Sequence, residues 1–569
     1  MKKICLLLIL CLLLSACAPA QSAEGSTPPQ STGDTLQSTV DATQGTASST
    51  TATVPTQKEE DIKPPATTTP TTPPAPETTT PATKPTQGNS SCSSHVDQGD
   101  DGKCDNCGVS TLVIVDFYAI NDLHGKIADG DTHPGVDELT TYLKKAKKTD
   151  DHVVLLSAGD MWQGSSESNL TQGLIATDWM NHLKFSAMAL GNHEFDWGID
   201  PVKKNNDLAK FPLLGINVYD RSTNKRVSYC KSSVMVEKGG IQIGIIGAIG
   251  DCYSSISKDK VTDIYFKVDG DLTKLVKDEA AKLRSNGADY IVYLLHDGYG
   301  NSKSSTATSI RGSEIDHYYD PSLSNGYVDL VFEGHTHQRY ILKDEYGVYH
   351  LQNKGDNKGI SHVEVSINTA NGNTKTRYAD LVTTGIYANM ADDPIVEELL
   401  DKYDEDVSAG SDVLGKNTQK RSSREIAQLV ADLYYEKGLE LWGKEYDIVL
   451  GGGFMSVRSP YELPAGDVTY GTLYSLLPFD NDLVLCSIKG RDLREKFFET
   501  DNDRYYISYG DYGKQVKGNI DPNKTYYIVV DSYTSVYAPN RLTEIVRYNK
   551  KIYARDLLAE YIKSGGLKK

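Results

Sequence analysis

The stretch Gly191-Asn-His-Glu-Phe-Asp196 follows a mostly apolar run, residues 185–190, and places polar side chains where that run ends. Gly191 lets the backbone turn sharply after a strand. Asn192 offers a neutral oxygen ligand. Asp196 lies three residues beyond His193, where a carboxylate can hold the imidazole in one tautomer. One Asn-His pair predicts little alone, but four other stretches repeat the pattern.

Five times in all, an apolar run ends in a short turn that carries Asp, Asn or His. Singly, such residues are more often buried core histidines or turn caps. Because the carboxyl ends of strands in an α/β sheet meet at one edge, these turns are expected to converge. Imidazoles, carboxylates and one amide suit a pair of divalent transition ions, which can clamp an in-line displacement at phosphorus. Besides Asn192 and His193, the turns carry Asp122, His124, Asp160, His296, His335 and His337.

The apolar runs alternate with helical patterns, which predicts an α/β fold of layered sheets and helices. We predict a catalytic domain over residues 112–390, a helical and acidic connector over 391–410, and a second α/β domain over 411–569.

The motifs Asn121-Asp-Leu-His-Gly125, Gly159-Asp160, Gly191-Asn-His-Glu-Phe-Asp196, His296 and Gly334-His-Thr-His337 together resemble those of the calcineurin-like metallophosphoesterases. The Glu-Phe-Asp extension and the second domain make the chain similar to the 5′-nucleotidase branch. The resemblance implies a four-layer αββα sandwich followed by a substrate-binding domain.

The resemblance also implies roles for the strand-end residues. One divalent ion (Zn, Mn, Co or Fe) would be held by Asp122, His124, Asp160 and His337. The other would be held by Asp160, Asn192, His296 and His335, with Asp160 bridging the two. His193 and Asp196 would form the catalytic dyad, and metal-activated water would attack phosphorus.

In the second domain, the resemblance implies arginines that contact a nucleotide and two aromatic rings that stack on its base. The candidates for substrate binding are Arg421, Arg424, Arg458, Phe479, Asn481 and Tyr537. The arginines could equally be solvated surface charges, and Phe479 could be a core residue. Three departures bear on base recognition. Leu450 stands where the family usually has Asn, and Arg458 arrives three positions late. The stretch before Tyr537 also lacks the Gly-Gly-Asp-Gly turn that usually precedes the second stacking aromatic.

Three kinds of function follow from these patterns. The first is a 5′-nucleotidase, with UDP-sugar hydrolase and 2′,3′-cyclic-nucleotide phosphodiesterase as alternatives that fit the same metal motifs. The second is a non-catalytic surface binding module on a phosphatase-like fold. The third is a thiol-esterase or sulfur-oxidation relative, which the arginine and Phe479 matches disfavour. The net charge of -18 argues against polymeric nucleic acid as a partner and leaves a small nucleotide.

The N-terminus has the pattern of a targeting segment. Lys2 and Lys3 precede an apolar run that ends in Leu14-Ser-Ala-Cys17. This resembles a bacterial lipoprotein signal over residues 1–16, with a lipid on Cys17, and it implies an extracytoplasmic protein anchored to the cell membrane. An ordinary secretory signal is the alternative. Residues 17–90 are dominated by Thr, Pro and Ser, which predicts a disordered stalk.

A small module over residues 91–108 carries Cys92, His95, Cys104 and Cys107 as Cys-x2-His-x8-Cys-x2-Cys. This spacing is typical of a structural zinc site. Free or disulfide-forming cysteines in a tail are the alternative. The interleaved Asp97-x-Gly-x-Asp-Gly102 is similar to part of a calcium loop but lacks its distal Glu.

Overall fold

The computed structural model describes residues 92, 94–130, 134–149, 152–299, 318–454, 457, 462–499, 505–537, 541–548 and 552–568. The predicted signal, Cys17 and the stalk lie outside these residues, as does Arg458. Among the helices that the structure describes, none is both long and apolar enough to cross a bilayer.

The N-terminal two thirds of the described chain alternates strands and helices. Its elements are β1 (Leu112–Ile120), α1 (Asp137–Thr149), β2 (Val153–Ser157), α2 (Ser166–Leu170), α3 (Leu174–Leu183), β3 (Ala187–Ala189), α4 (Ile199–Leu208), β4 (Leu213–Leu214), β5 (Val218–Asp220), β6 (Lys225–Arg226), β7 (Ser233–Lys238), β8 (Ile241–Ile249), β9 (Ile264–Phe266), α5 (Asp269–Ser285), β10 (Tyr290–His296), β11 (Leu330–Glu333), β12 (Tyr340–Lys343), β13 (Tyr349–Gln352), β14 (Gly359–Asn368), β15 (Thr374–Thr383) and α6 (Thr384–Tyr387).

These strands form two six-stranded sheets, with the orders β15-β14-β1-β2-β3-β4 and β12-β13-β11-β10-β8-β7. In the first sheet, β1 to β4 pair in parallel, and β14 and β15 extend one edge by antiparallel pairing. In the second sheet, β13, β11, β10 and β8 pair in parallel, and β12 and β7 pair antiparallel at the two edges. Every residue of β2 and of β10 is buried, as expected for apolar strands covered on both faces. A third, smaller sheet of three strands has the order β6-β5-β9.

The two large sheets pack face to face, and helices cover their outer faces. The core between the sheets joins Phe117 and Leu156 of one to Ile245 and Val292 of the other. A second core lies under α1 and α3, and a third lies under α5. The predicted four-layer αββα sandwich is therefore confirmed.

The remaining elements begin with two short acidic helices and include a five-stranded sheet. They are α7 (Ile395–Lys402), α8 (Asp404–Val407), β16 (Val413–Asn417), α9 (Ser423–Trp442), β17 (Ile448–Phe454), β18 (Gly466–Thr469), α10 (Tyr470–Leu476), β19 (Leu483–Lys489), α11 (Gly490–Leu493), β20 (Tyr505–Ser508), α12 (Asp511–Gly518), β21 (Thr525–Asp531), α13 (Ser532–Tyr537), β22 (Leu542–Arg547) and α14 (Ala554–Lys563). The sheet order is β20-β17-β21-β19-β22, and β16 pairs with β18.

Helix α7 belongs to the catalytic domain by its packing. Its buried residues Ile395, Val396 and Leu399 join the core beneath α1 and α3. Helix α9 of the second domain begins with a capping box, in which Ser422 and Glu425 satisfy each other's backbone N–H groups.

One buried histidine lies between two carboxylates near the end of β11. His350 Nδ1 is 3.3 Å from Glu333 Oε1, and its Nε2 is 3.3 Å from Asp344 Oδ2. Burial alone would lower the pKa of His350, but the two carboxylates outweigh burial and raise it to about 9. The imidazolium therefore stabilises the folded state at neutral pH.

We expect this contribution to disappear at alkaline pH. Since the folded pKa lies above the unfolded value, the stabilisation is complete below about pH 6.5 and is lost as the pH rises through 9. Urea unfolding at pH 6.5 and 9.5 should show a loss of about 3 kcal/mol for the wild type. A much smaller pH dependence is expected for His350→Gln. His152→Gln, which removes a ring bonded to the carbonyl of Ile114, is the control; an equal slope in all three proteins would contradict the expectation.

Candidate active site

Five strand ends supply the candidate site, and the backbone there is unusual. The residues Asp122, His124, Asp160, His335 and His337 all have φ between 52° and 68°. Residues with a Cβ seldom adopt this left-handed conformation, and it costs free energy where it occurs. Here it turns five polar side chains away from their strands and towards one point.

The first cluster of donor atoms comes from β1 and the loop after β11. Asp122, His124 and His337 each present an atom within 4.8 Å of the others. The two Nε2 atoms of His124 and His337 are 3.0 Å apart, and Nε2 of His337 is 3.4 Å from Asp122 Oδ1. These two imidazoles and one carboxylate are three of the four ligands predicted for one metal ion, and Asp160 is the fourth.

The second cluster centres on Asn192. Its Oδ1 lies 2.8 Å from Nδ1 of His335 and 3.1 Å from Nε2 of His296. Nε2 of His296 is also 3.1 Å from Asp160 Oδ2. Asp122, Asp160 and His296 again approach one another within 4.8 Å, which links the two clusters through Asp160. The structure thus brings together all seven predicted ligands.

Backbone carbonyls orient two of the imidazoles. Nδ1 of His124 lies 2.9 Å from the carbonyl oxygen of Gln163, and Nδ1 of His296 lies 2.8 Å from that of Ala158. Since a carbonyl only accepts, each Nδ1 donates, and each Nε2 is left to face the cluster. This is the tautomer that a metal ligand requires.

The electrostatics of the clusters favour cations. Burial alone would lower the pKa of His296, but the negative charges of Asp160 and Asp122 outweigh it and raise the pKa to about 10. Burial would raise the pKa of Asp160, yet His296 and His193 hold it well below its usual value. Burial lowers the pKa of His335 to about 4, so this ring is neutral. The donor set and its negative field fit a pair of divalent ions.

The predicted dyad lies beside both clusters. Nδ1 of His193 donates to Asp196 Oδ2 at 2.7 Å, and the backbone N–H of His193 donates to Asp160 Oδ1 at 2.8 Å. Nε2 of His193 is 4.0 Å from Asp160 Oδ2, and 15% of the side chain is exposed. The ring therefore points Nε2 at the cluster from a partly exposed position.

Glu194 is part of the site but was not among the predicted residues. It is fully buried, and its carboxylate accepts the backbone N–H groups of Asp160, Met161, Trp162 and Gly191 at 2.6–3.3 Å. Burial, and then the charge of Asp160, raise its pKa to about 7. Glu194 joins the loop after β2 to the loop after β3 and so fixes two of the ligand-bearing turns relative to each other.

Of the predicted substrate-binding residues, Phe479 lies at the site. Its ring is 5.8 Å from that of His193, at an interplanar angle of 27°. Gln163 of the catalytic domain holds the loop that carries Phe479, because its Nε2 donates to the carbonyl of Pro478 at 3.1 Å. On the other side, Arg555 pairs with Asp480.

The other substrate-binding candidates are not shown at the site. Arg421 Nε donates to Asn417 Oδ1 at 3.1 Å, Arg424 is exposed near the start of α9, and Asn481 is half-buried. Tyr537 ends α13, but its side chain is outside the described part of the structure, as is all of Arg458.

Comparison with known proteins places this geometry in a class. Residues 116–339 match the family model for calcineurin-like phosphoesterases, so the chain is a metal-dependent phosphoesterase. Residues 407–537 match the model for the C-terminal domain of 5′-nucleotidases. With both domains present, the chain belongs to the 5′-nucleotidase family.

Individual relatives agree with this assignment. Protein UshA of Yersinia enterocolitica is 27% identical over 443 residues, which cover 68% of this chain and 77% of that protein. The 5′-nucleotidase of Rattus norvegicus is 28% identical over 418 residues, covering 66% and 68%. The crystal structure of a 5′-nucleotidase precursor from Thermus thermophilus has the same fold, with a TM-score of 0.59 and 20% identity over 79% of this chain and 96% of that one.

Proposed function

We propose that this phosphoesterase is an extracytoplasmic 5′-nucleotidase that releases phosphate from nucleoside monophosphates. The observation that carries the proposal is the position of Phe479. An aromatic ring from the nucleotidase domain lies against His193, beside seven clustered metal-ligand candidates. A nucleotide offers both a phosphate for the metal site and a base for an aromatic ring, so one small molecule can occupy both parts.

In this proposal the two clusters bind two divalent ions. Asp122, His124, Asp160 and His337 hold one, and Asp160, Asn192, His296 and His335 hold the other. When bound, such a pair of ions activates the attacking water and neutralises charge on the phosphoryl oxygens. The ion could be Zn, Mn, Co or Fe, since imidazole and carboxylate ligands suit all four.

The dyad handles the proton and the charge that develops on the substrate. His193 presents Nε2 towards Asp160, while its Nδ1–H is fixed by Asp196 at 2.7 Å. From there, Nε2–H can donate to a phosphoryl oxygen or to the leaving oxygen, and the carboxylate of Asp196 stabilises the imidazolium.

Phe479 also implies movement, because its ring covers His193 in this arrangement. Two further contacts hold the domains in the same place: the bond from Gln163 to Pro478, and an ion pair between Arg547 Nη1 and Asp259 Oδ2 at 2.9 Å. We propose that substrate enters when the second domain moves away, with the hinge in the part of the connector at 391–410 that follows α7. Crosslinking the two domains should leave metal content unchanged and lower turnover; unaltered turnover would count against the hinge.

A test of the proposed function compares phosphate release from AMP, UDP-glucose and 2′,3′-cyclic AMP by residues 112–569 with manganese or zinc. Each substrate is measured with and without chelator, beside His193→Ala. Chelator-sensitive release from AMP that collapses in the variant supports a nucleotidase. Release from only the sugar or cyclic nucleotide would contradict the proposed substrate and leave the mechanism in place.

We expect Phe479→Ala to raise KM for the nucleotide about tenfold to a hundredfold, because stacking of one base on one ring contributes about 1–3 kcal/mol. Metal content should stay unchanged, since the ring of Phe479 lies against His193 and Phe479 is not among the predicted metal ligands. Phe479→Tyr keeps the ring and is the matched control. Equal KM values in both variants and the wild type would show that Phe479 does not bind the base.

One observation favours UDP-sugar hydrolase or 2′,3′-cyclic-nucleotide phosphodiesterase as the second candidate. Leu450, where the resembling family usually has Asn, is fully buried within β17. A buried Leu offers no amide to a nucleotide, so recognition of the base or leaving group differs here. The three-substrate comparison above separates these activities.

We also propose that the enzyme is anchored to the cell membrane by a lipid on Cys17, on the strength of the Leu-Ser-Ala-Cys pattern. Cys17→Ser should then move the protein from the membrane fraction to the soluble one. A wild-type protein that is already soluble after secretion would favour an ordinary signal peptide.

A further inference from the structure

Three cysteines and one histidine lie close together in the module that precedes β1. Cys92, His95, Cys104 and Cys107 each present one ligand atom within 4.8 Å of the others. We propose that these four residues bind one Zn²⁺ ion that is separate from the catalytic pair and closes the module. None of the four belongs to either cluster of the active site.

The distances in the module match tetrahedral zinc. Zinc binds sulfur at about 2.3 Å and imidazole nitrogen at about 2.0–2.1 Å, so tetrahedral ligands lie about 3.8 Å apart for two sulfurs and about 3.6 Å apart for sulfur and nitrogen. Sγ of Cys92 is 3.8 Å from Sγ of Cys104, and Sγ of Cys107 is 3.6 Å from Nδ1 of His95. A disulfide requires about 2.05 Å between sulfurs, and all three thiols are free in the structure.

The backbone of the module is folded as a tight turn around the second ligand pair. The N–H groups of Cys107 and Gly108 donate to the carbonyl of Cys104 at 3.3 and 2.7 Å, and the N–H of Cys104 donates to Val109. The N–H of Asp105 donates to the carbonyl of Val96, one residue after His95. These hydrogen bonds bring Cys92 and His95 close to Cys104 and Cys107, as a four-ligand site for one ion requires.

The acidic loop between the two ligand pairs stabilises the module through hydrogen bonds. Asp97 is buried, and its oxygens accept the N–H groups of Asp101 and Gly102 and side-chain donors of Thr111 and Asn368, at 2.8–3.2 Å. Its oxygens are therefore used by protein donors, unlike those of a calcium loop. Asn371 donates to Asp100 at 3.0 Å, so the turn after β14 docks the module onto the catalytic domain.

The ion has a structural task because the module lacks a core of its own. Among the described residues 92–108, the only buried ones are Asp97, Gly102 and Cys104. So small a loop cannot be stabilised by apolar burial and needs a metal or a covalent link. Zinc would fix the segment through which the N-terminal stretch enters β1.

Cobalt substitution tests the site through its three thiols. Thiolate ligands produce a charge-transfer absorption band with Co²⁺, and the seven catalytic ligand candidates include no thiolate. The buried thiol of Cys252 lies within 4.8 Å of ligand atoms of His296 and His335, so loss of the band in a variant of the module assigns the band to the module. The full-length protein is stripped of metal and titrated with Co²⁺, alongside a Cys104→Ser/Cys107→Ser double variant. Cys486→Ser, which removes a buried thiol of β19, is the matched control.

We expect the band to saturate at one equivalent in the wild type and in Cys486→Ser and to be lost in the double variant. Phosphate release should stay within twofold in all three, which also shows that the double variant is folded. Cys92→Ser is a milder second variant that should weaken the band. A wild type without the band, a band that persists in the double variant, or a native mass 2 Da low from a disulfide would each overturn the proposal.

Discussion

Replacing His193 with alanine is expected to lower phosphate release about 10²–10⁴-fold while both catalytic metal equivalents stay bound. Nε2 of His193 lies 4.0 Å from Asp160 Oδ2, its Nδ1 is bonded to Asp196, and His193 is not among the predicted metal ligands. The backbone N–H of His193, which donates to Asp160, is retained in the alanine variant. In the purified variant, turnover should therefore fall while the metal content measured by mass spectrometry stays unchanged.

Asp196→Asn is the matched variant for the dyad. The amide can keep a hydrogen bond to Nδ1, but it cannot stabilise the imidazolium and permits the wrong tautomer. We expect a smaller loss than for His193→Ala, and no added loss when both changes are combined, because the pair acts as a unit. Two results would contradict the dyad. One is a double variant in which the two losses of turnover multiply, and the other is a lower metal content in His193→Ala.

The convergence of the ligand candidates could be predicted from the chain because the fold places them at strand ends. Asp122, Asp160 and Asn192 each follow an apolar run within a few residues, and parallel strands end at one edge. The sequence pattern therefore identified which residues converge. The left-handed backbone at Asp122 and Asp160 was not predictable, because any residue type can be held there when the surrounding loops require it.

Glu194 shows what the pattern could not identify. The sequence alone does not show whether a glutamate inside a polar motif is solvated or buried. Its role comes from four backbone N–H groups in two loops, which meet only in the folded protein. The signal was present in Gly191-Asn-His-Glu194, where a carboxylate directly follows the dyad histidine, but only as part of a family resemblance.

The second domain was predicted less completely for a related reason. The family resemblance made Phe479 a candidate, and the structure places it against His193. The same resemblance made Arg421 a candidate, yet its guanidinium bonds Asn417 within its own domain. Whether a residue from one domain reaches a site in another depends on how the domains pack, which local periodicity does not encode.

Replacing Asp160 with asparagine is expected to lower phosphate release by at least about 10³-fold, or about 4 kcal/mol in the activation barrier. Unlike His193→Ala, it should also reduce bound metal from two equivalents to one or fewer. Asp160 is the residue through which the two clusters meet, and asparagine cannot supply a charged oxygen to each ion. Metal content and activity should therefore fall together and recover only in part at high Mn²⁺.

The matched control for Asp160→Asn is Asp116→Asn. Asp116 also bonds a histidine ring, with Oδ1 2.6 Å from Nε2 of His362, but it lies on β1 among residues that take no part in either cluster. Both changes neutralise one buried or half-buried carboxylate beside an imidazole, so a general effect on folding should appear in both. If Asp116→Asn keeps two metal equivalents and turnover while Asp160→Asn loses both, the loss belongs to the bridge. If Asp160→Asn retains two equivalents, the two ions do not share this carboxylate, and the clusters must act as separate sites.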